Sequence, residues 1–316
     1  MGARKRTTAR RRGSPRSVPS DCRVSLAQIN PTLGDLEANL EIHLEWIARA
    51  KKQKSEIVIF PELSLTGYFL RDLTQEVALS IDAPPVQKLV ALSKGISILF
   101  GFVEESPDHL FYNTCVFAED GRILHKHRKV YLPTYGIFEE KRYMAAGDRF
   151  QSFDSKRGKF GILICEDLWH VSSGYLYFLQ GVDAILCPSN SPGRGIAEEG
   201  SEVQTARVWN TLLTAQSYYF NVYSVFCNRV GFEDGVLFWG GSKIVSPFGR
   251  IVAASKSLDP DLVKGKIAKP KTEAVEGELS LSALRRSRIF APLRRDEREF
   301  LFRKELQRIL GGSSGD

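Results

Sequence analysis

Short unbroken apolar runs recur along the chain with amphipathic segments between them, and this alternation constrains the fold more than any other feature. CRVSLAQI (22–29) reads as a first strand closed by Asn30 and Pro31. Leu36, Leu40, Leu44, Ile47 and Ala50 then fall roughly on one helical face. EIVIF (56–60) has the continuous apolar character of a buried strand. A helix near 85–94, a strand at 96–103, the runs KFGILIC (159–165) and DAILCP (183–188), a helix near 201–219 and NVYSVFC (221–227) repeat the pattern. NTCVFA and RILHKHRK flank Asp120-Gly121, and SKIVSP and GRIVAAS flank Phe248-Gly249, so two hairpins interrupt the alternation. Such a chain predicts layered α/β architecture with mixed rather than purely parallel sheets. The stretch 260–310, charged and broken by proline, is expected to wrap the surface or a partner subunit.

At 316 residues, with 43% apolar and 26% charged residues, the chain is long enough to bury a sizeable core. The formal net charge of +7 arises within residues 1–20, which carry seven basic residues and no acid. The remainder is formally neutral, so no nucleic-acid-binding face is expected on the body. Residues 1–20 have almost nothing apolar to bury and are expected to form a disordered tail, with an organelle transit peptide as the alternative. No apolar run approaches the ~20 residues of a membrane helix, and none forms a secretory core. The five cysteines (22, 115, 165, 187 and 227) are odd in number and form no CxxC pair, so neither a disulfide framework nor a metal site is expected. Free thiols without an export signal point to the cytoplasm.

Three reactive residues stand where strands end: Glu62 after EIVIFP, Lys129 after the 122–128 strand and Cys165 at the end of KFGILIC. Loops at strand ends are where α/β folds place reactive groups. Singly, each has a duller explanation: a core cysteine, a solvated lysine, a turn glutamate. A Cys–His arrangement would need His125, His127 or His170 as partner, and the Glu139–Glu140 pair alone could suggest glycoside hydrolysis. Cys187 and Cys227 read as buried structural thiols.

The surrounding letters add a different kind of information. IFPELSLTGY (59–68), RKVYLPTYGIFEEKRYMAAGD (128–148) and GILICEDLWH (161–170) occur in that order. Together they resemble the nitrilase superfamily of carbon–nitrogen hydrolases, from about residue 22 to 300. Within it, ELSLTGY, LPTYGIFEEKRY, CEDLW, SNSPG and NRVGFEDGVLFWGGS resemble the glutamine-hydrolysing domain of glutamine-dependent NAD synthetases. After TGY this chain has FLRDL, where that subgroup usually shows proline and acidic residues.

The resemblance implies a four-layer α-β-β-α sandwich with two mixed sheets, a hydrolase domain over 21–295 and a C-terminal extension over 296–316. It implies a catalytic triad of Glu62 as general base, Lys129 as oxyanion-stabilising cation and Cys165 as nucleophile, with Glu140 holding Lys129 and the substrate amide. The thiolate is expected to be favoured by the following helix N-terminus and by Lys129, against Glu166 and Asp167. Glutamine contacts would fall on Tyr68, Tyr135, Glu166 and Ser191, and Trp169 would line the pocket or pack in the core. The implied reaction is hydrolysis of a linear carboxamide, such as glutamine or an ω-amide, to acid and ammonia, with no metal and no cofactor. N-carbamoyl amidohydrolase or nitrilase activity is the alternative. Homodimers or larger homo-oligomers are expected. A separate synthetase is a further candidate partner, since neither a GxxxxGK[ST] nor an SGG-type loop occurs in the sequence.

Overall fold

A computed structural model describes residues 21–193, 204–255 and 271–311. The predicted disordered tail at 1–20 lies outside the described residues. The first sheet is formed by β1 (Cys22–Gln28), β2 (Ile57–Ile59), β3 (Ser97–Glu105), β4 (Phe111–Glu119), β5 (Arg122–Arg128) and a late strand, Glu273–Leu279, in the order late strand-β1-β2-β3-β4-β5. The second holds β6 (Phe153–Ser155), β7 (Gly158–Ile162), β8 (Ala184–Ser189), β9 (Tyr223–Asn228) and two further strands, Lys243–Val245 and Ile251–Ala254. The hairpin between them in sequence is β10 (Val230–Glu233) with β11 (Val236–Trp239), which makes Lys243–Val245 β12, Ile251–Ala254 β13 and Glu273–Leu279 β14. The second sheet runs β13-β12-β9-β8-β7-β6. In each sheet three parallel strands, β1-β2-β3 and β7-β8-β9, are flanked by antiparallel ones, so both sheets are mixed.

Strand side chains alternate between faces, and here both faces are apolar, which accounts for the unbroken runs. Ile57 and Ile59 point between the sheets, where they join Leu26, Leu99, Phe117, Ile162, Leu186 and Val225 in one core. Val58 and Phe60 point outward under α1 (Leu36–Lys52) and the helix Pro84–Ala91. On the far side, Ile185, Cys187 and Phe226 pack with Tyr177 of the helix Val171–Gln180 and Trp209 and Leu213 of the helix Gln204–Phe220. The layers are therefore α-β-β-α, as the resemblance implies.

Helix α1 starts at Asp35, whose carboxylate accepts from Ala38 N at 3.0 Å, and it ends in Arg49, Lys51 and Lys52, which suit the negative helix terminus. Its buried residues are Asn39, His43, Trp46, Ile47 and Ala50, while Leu36, Leu40 and Leu44 are only partly buried. The two polar residues are enclosed because they hold the loop after β2: Asn39 Nδ2 donates to Leu65 O at 3.1 Å, and His43 Nε2 lies 3.0 Å from Ser64 Oγ. Burial pushes His43 down to about 4, so it serves as a neutral strut stacked on Phe60.

Two expectations need correction. The 260–310 stretch does not simply wrap the surface, because β14 pairs antiparallel with β1 from Cys22↔Leu279 to Gln28↔Glu273. Val275 and Leu279 face the core while Glu276 accepts from Ser25 and Ser55 hydroxyls at 2.9 and 2.8 Å. Its glutamates and Gly277 hide the period-two signal. KFGILIC does not stay strand to its end either: β7 stops at Ile162, and Cys165 opens a 3₁₀ turn, Cys165–Trp169.

Candidate active site

Glu62, Lys129 and Cys165 are delivered by three strand ends, two in the first sheet and one in the second. Glu62 sits in the loop after β2, which crosses β3 so closely that a Cβ on Gly101 would lie 2.7 Å from Leu63 N. Lys129 follows β5, and its backbone is clamped on both sides: its N–H donates to Asn113 O at 2.8 Å, and its carbonyl accepts from Gly147 N at 2.7 Å. Only glycine fits at 147, since a Cβ there would stand 2.2 Å from Arg128 O. Cys165 adopts φ +44°, a conformation that side chains rarely accept outside sites that require it.

The Lys129 ammonium is fully enclosed and donates to Glu62 Oε1 at 2.7 Å and to Glu140 Oε1 at 2.6 Å. Glu62 also accepts from Asn113 Nδ2 at 2.7 Å and, through Oε2, from Asn190 N at 2.8 Å. Tyr68 donates its hydroxyl to Glu140 Oε1 at 2.6 Å. Glu140 Oε2, Asn113 Oδ1 and Asn190 Oδ1 are buried without a hydrogen-bond partner among the described residues. Such acceptors are costly to leave unused and are available to donors on a bound molecule.

Electrostatics follow from this crowding. Burial would push Lys129 down, but the carboxylates of Glu140 and Glu62 override it and hold the ammonium well above its usual range. Burial, opposed by Lys129 and reinforced by Glu62, pushes Glu140 up to about 7. Burial and the Glu62 carboxylate raise the Cys165 thiol well above its ordinary value, against the pull of Lys129 and the Ser189 hydroxyl. Burial and Glu62 thus work against the favoured thiolate expected from the sequence. The 3₁₀ turn is only five residues long, so it offers the thiolate little dipole against the nearby carboxylates of Glu62 and Glu140. Cys165 is the partly exposed one among five free cysteines.

The other predicted site residues sort into groups. Tyr135 and Glu166 meet each other, the phenol lying 3.0 and 2.9 Å from the two carboxylate oxygens, at a half-open rim. Trp169 is 40% exposed and packs edge-on against Trp209 at 5.8 Å. Ser191 is buried, and its hydroxyl oxygen accepts from the indoles of Trp209 and Trp239 at 2.7 and 3.2 Å. That hydroxyl is therefore already engaged, which leaves the glutamine contact expected of Ser191 with the least geometric support.

Asp167, which the sequence presents only as a charge opposing the thiolate, joins the site's two halves. Its Oδ1 accepts from Val130 N and Tyr131 N at 3.0 and 2.9 Å, its Oδ2 from Ile164 N and His127 Nε2 at 3.1 and 2.9 Å. One enclosed carboxylate thus fixes the backbone just after Lys129 and just before Cys165. Asn113 and Asn190 carry no local signal of their roles either, although NTCVFA and SNSPG contain them. Among the described residues no group of three His, Cys, Asp or Glu could hold a metal ion, and no helix is long and apolar enough to cross a membrane.

A mixed-sheet α-β-β-α sandwich with a buried lysine between two glutamates, and a cysteine on the turn after β7 of the facing sheet, defines a class, and the sequence profile described as "Carbon-nitrogen hydrolase" matches residues 23–276. The chain belongs to that family, within the nitrilase superfamily, and is a hydrolase acting on carbon–nitrogen bonds. It is 33% identical over 246 residues to the glutamine-dependent NAD(+) synthetase of Thermotoga maritima, covering 76% of this chain and 41% of that protein. To the protein of the same name from Acinetobacter baylyi it is 29% identical over 295 residues, covering 93% and 53%. It therefore spans about half the length of these curated relatives. The crystal structure of Saccharomyces cerevisiae Nit3, of branch 10 of the nitrilase superfamily, superposes with a TM-score of 0.73 at 25% identity, covering 87% of this chain and 95% of that one.

Proposed function

We propose that this chain hydrolyses a linear carboxamide, glutamine or another ω-amide, to the acid and ammonia through a thioester on Cys165. The observation that carries this reading is the Lys129 ammonium held between Glu62 and Glu140, close to Cys165, whose thiol burial and Glu62 push up. A neutral thiol needs a base at the moment of attack, and Glu62 is that base. It takes the Sγ proton as Sγ bonds to the amide carbon. The carbonyl π pair moves to oxygen, where Lys129 and the backbone N–H of Glu166 stabilise it; as the second amide of its turn, ahead of the first bond from Asp167 N to Ile164 O, that N–H has no acceptor within the turn. Collapse breaks the C–N bond, and Glu62 returns the proton to the departing ammonia. Water then attacks the thioester, with Glu62 again taking a proton, and the acid leaves as Cys165 regains its own. Glu140 Oε2, an acceptor without a partner among the described residues, suits the amide N–H₂ of the substrate.

Glutamine is favoured by the relatives named as glutamine-dependent synthetases and by the Tyr135–Glu166 rim, whose carboxylate suits an α-ammonium. A second reading, delivery of the ammonia to a synthetase, is supported by the same relatives and by their greater length. Ammonia release from glutamine, simple amides, N-carbamoyl compounds and nitriles, compared with Cys165→Ala, tests both. Turnover surviving in the variant would defeat the thioester route. Release that requires an added synthetase would favour the second reading. The helix Glu299–Gly311 buries none of its residues and exposes Phe300, Ile309 and Leu310, which supports self-association. Sedimentation of the full chain tests that.

A further inference from the structure

The hairpin β10–β11 carries an enclosed ion pair that the chemistry above does not use. Arg229 and Glu233 are 0% and 5% exposed, and the guanidinium donates to Glu233 Oε2. Arg229 also donates to Asn30 Oδ1 and Pro31 O, each at 3.1 Å, beyond the end of β1, and its backbone N–H donates to Ser189 O at 3.1 Å. The second carboxylate oxygen of Glu233 is spent elsewhere. Oε1 accepts from Tyr68 N at 3.0 Å and from Phe69 N at 2.7 Å.

The sequence explains why those two amides need an outside acceptor. Gly67 turns the chain at φ +86°, and a Cβ there would meet Leu33 Cα at 2.8 Å. Gly67 lies in the loop after β2, so the buried N–H of Tyr68 and the partly buried one of Phe69 have no ladder partner and must find another. A pair needed only for packing could be replaced by apolar groups of similar volume at little cost. This one instead grips the backbone of the residue whose phenol reaches Glu140 Oε1 at 2.6 Å, the oxygen that Lys129 also contacts.

We propose that Glu233, itself held by Arg229, is a positioning residue for amide hydrolysis: it fixes the Tyr68 backbone so that the phenol pins Glu140 Oε1 against Lys129 and leaves Oε2 for the substrate amide. The proposal rests on the hydrolase reading above. Glu233 touches neither substrate nor nucleophile and acts through Tyr68. Loss of Glu233 and loss of the Tyr68 hydroxyl should therefore produce one and the same defect.

The test is a double-mutant cycle in the full chain, with ammonia release from glutamine and from propionamide as readout. Glu233→Gln and Tyr68→Phe should each lower kcat about tenfold or more with KM within about threefold, and the double variant should fall no further than the worse single within about twofold. Multiplying losses, or a folded Glu233→Gln with kcat within about twofold of wild type, would overturn the proposal. Should Glu233→Gln not fold, Arg229→Met with Glu233→Gln removes both charges together. That protein should show the same kcat loss, again not compounded by Tyr68→Phe, and full activity in it would overturn the proposal equally. A wild type that releases ammonia from no linear amide defeats the hydrolase reading and this role together. An active wild type with an additive cycle defeats the role alone.

Discussion

The ammonium of Lys129 lies 2.7 Å from Glu62 Oε1 and 2.6 Å from Glu140 Oε1, with all three side chains enclosed. Removing the cation leaves two like charges facing each other in a dry site. Lys129→Gln should cost about 3–5 kcal/mol in stability, as breaking a buried pair does. It should also lower kcat by about 10²–10³ with little change in KM, since it takes away an oxyanion donor. Chemical denaturation and steady-state ammonia release check the two effects. A kcat within threefold of wild type would remove Lys129 from the chemistry.

Cys165 should behave as a neutral thiol in the free enzyme, because burial and Glu62 raise it. Its alkylation by iodoacetamide should be slow at pH 7 and still climbing at pH 9, unlike a cysteine paired with an imidazolium. A plateau below pH 8, read by mass spectrometry of the Cys165 peptide, would contradict the stated environment.

Glu140 gives the pH dependence its sign. Its folded-state value is raised from 4.5 to about 7, so it carries a proton at pH 6 that the unfolded chain has already lost. Its contribution to stability therefore declines as pH rises from about 4.5 to 7. Activity should run the other way, because the ionised Glu140 joins Glu62 in holding Lys129 more strongly than its protonated form does. The kcat/KM profile should rise through an apparent midpoint near 7, and Glu140→Gln should abolish that limb along with most turnover. The coupling to Glu62 and Lys129 makes that midpoint a property of the cluster.

Asp167→Asn retains one oxygen acceptor, but it must turn an amide N–H₂ toward Ile164 N–H and His127. A loss of about 1–3 kcal/mol is expected for the unmatched buried donor. Since the carboxylate tethers both the Lys129 and Cys165 segments, kcat should fall more than KM rises. Unchanged kcat in a destabilised variant would make Asp167 a matter of folding only.

Glu166→Gln separates substrate recognition from chemistry. The backbone N–H of residue 166 is untouched, whereas the carboxylate facing Tyr135 is lost. KM for glutamine should rise roughly tenfold, about 1.4 kcal/mol for an ionic contact at a half-open rim. Propionamide, which has no α-ammonium, should be spared. Equal loss on both substrates would count against glutamine.

The parts of this architecture legible in the sequence are those whose signal is local. EIVIF and DAILCP announce buried strands, because continuous apolarity has few other uses, and Asp120-Gly121 marks its hairpin. Glu62, Lys129 and Glu140, distant along the chain, meet in space as their motifs imply. The strand β14 escaped because Glu276 and Glu278 look like surface residues, although Glu276 is tied by the hydroxyls of Ser25 and Ser55. Charge beside a nucleophile looked like repulsion, so Asp167 was read by its formal charge and not by the four donors it collects. Arg229 and Glu233 escaped for the same reason, since nothing local says that a charged side chain has its partner waiting in the core.

The tight passages at Gly101 and Gly147 have a consequence for how the protein can vary. Both lie within backbone-contact distance of the segments carrying Glu62 and Lys129, so at each the added carbon of an alanine has nowhere to go. Random mutagenesis should register these silent-looking positions as sharply as the catalytic ones, and no second-site change in a side chain should restore them, since the obstruction is main chain.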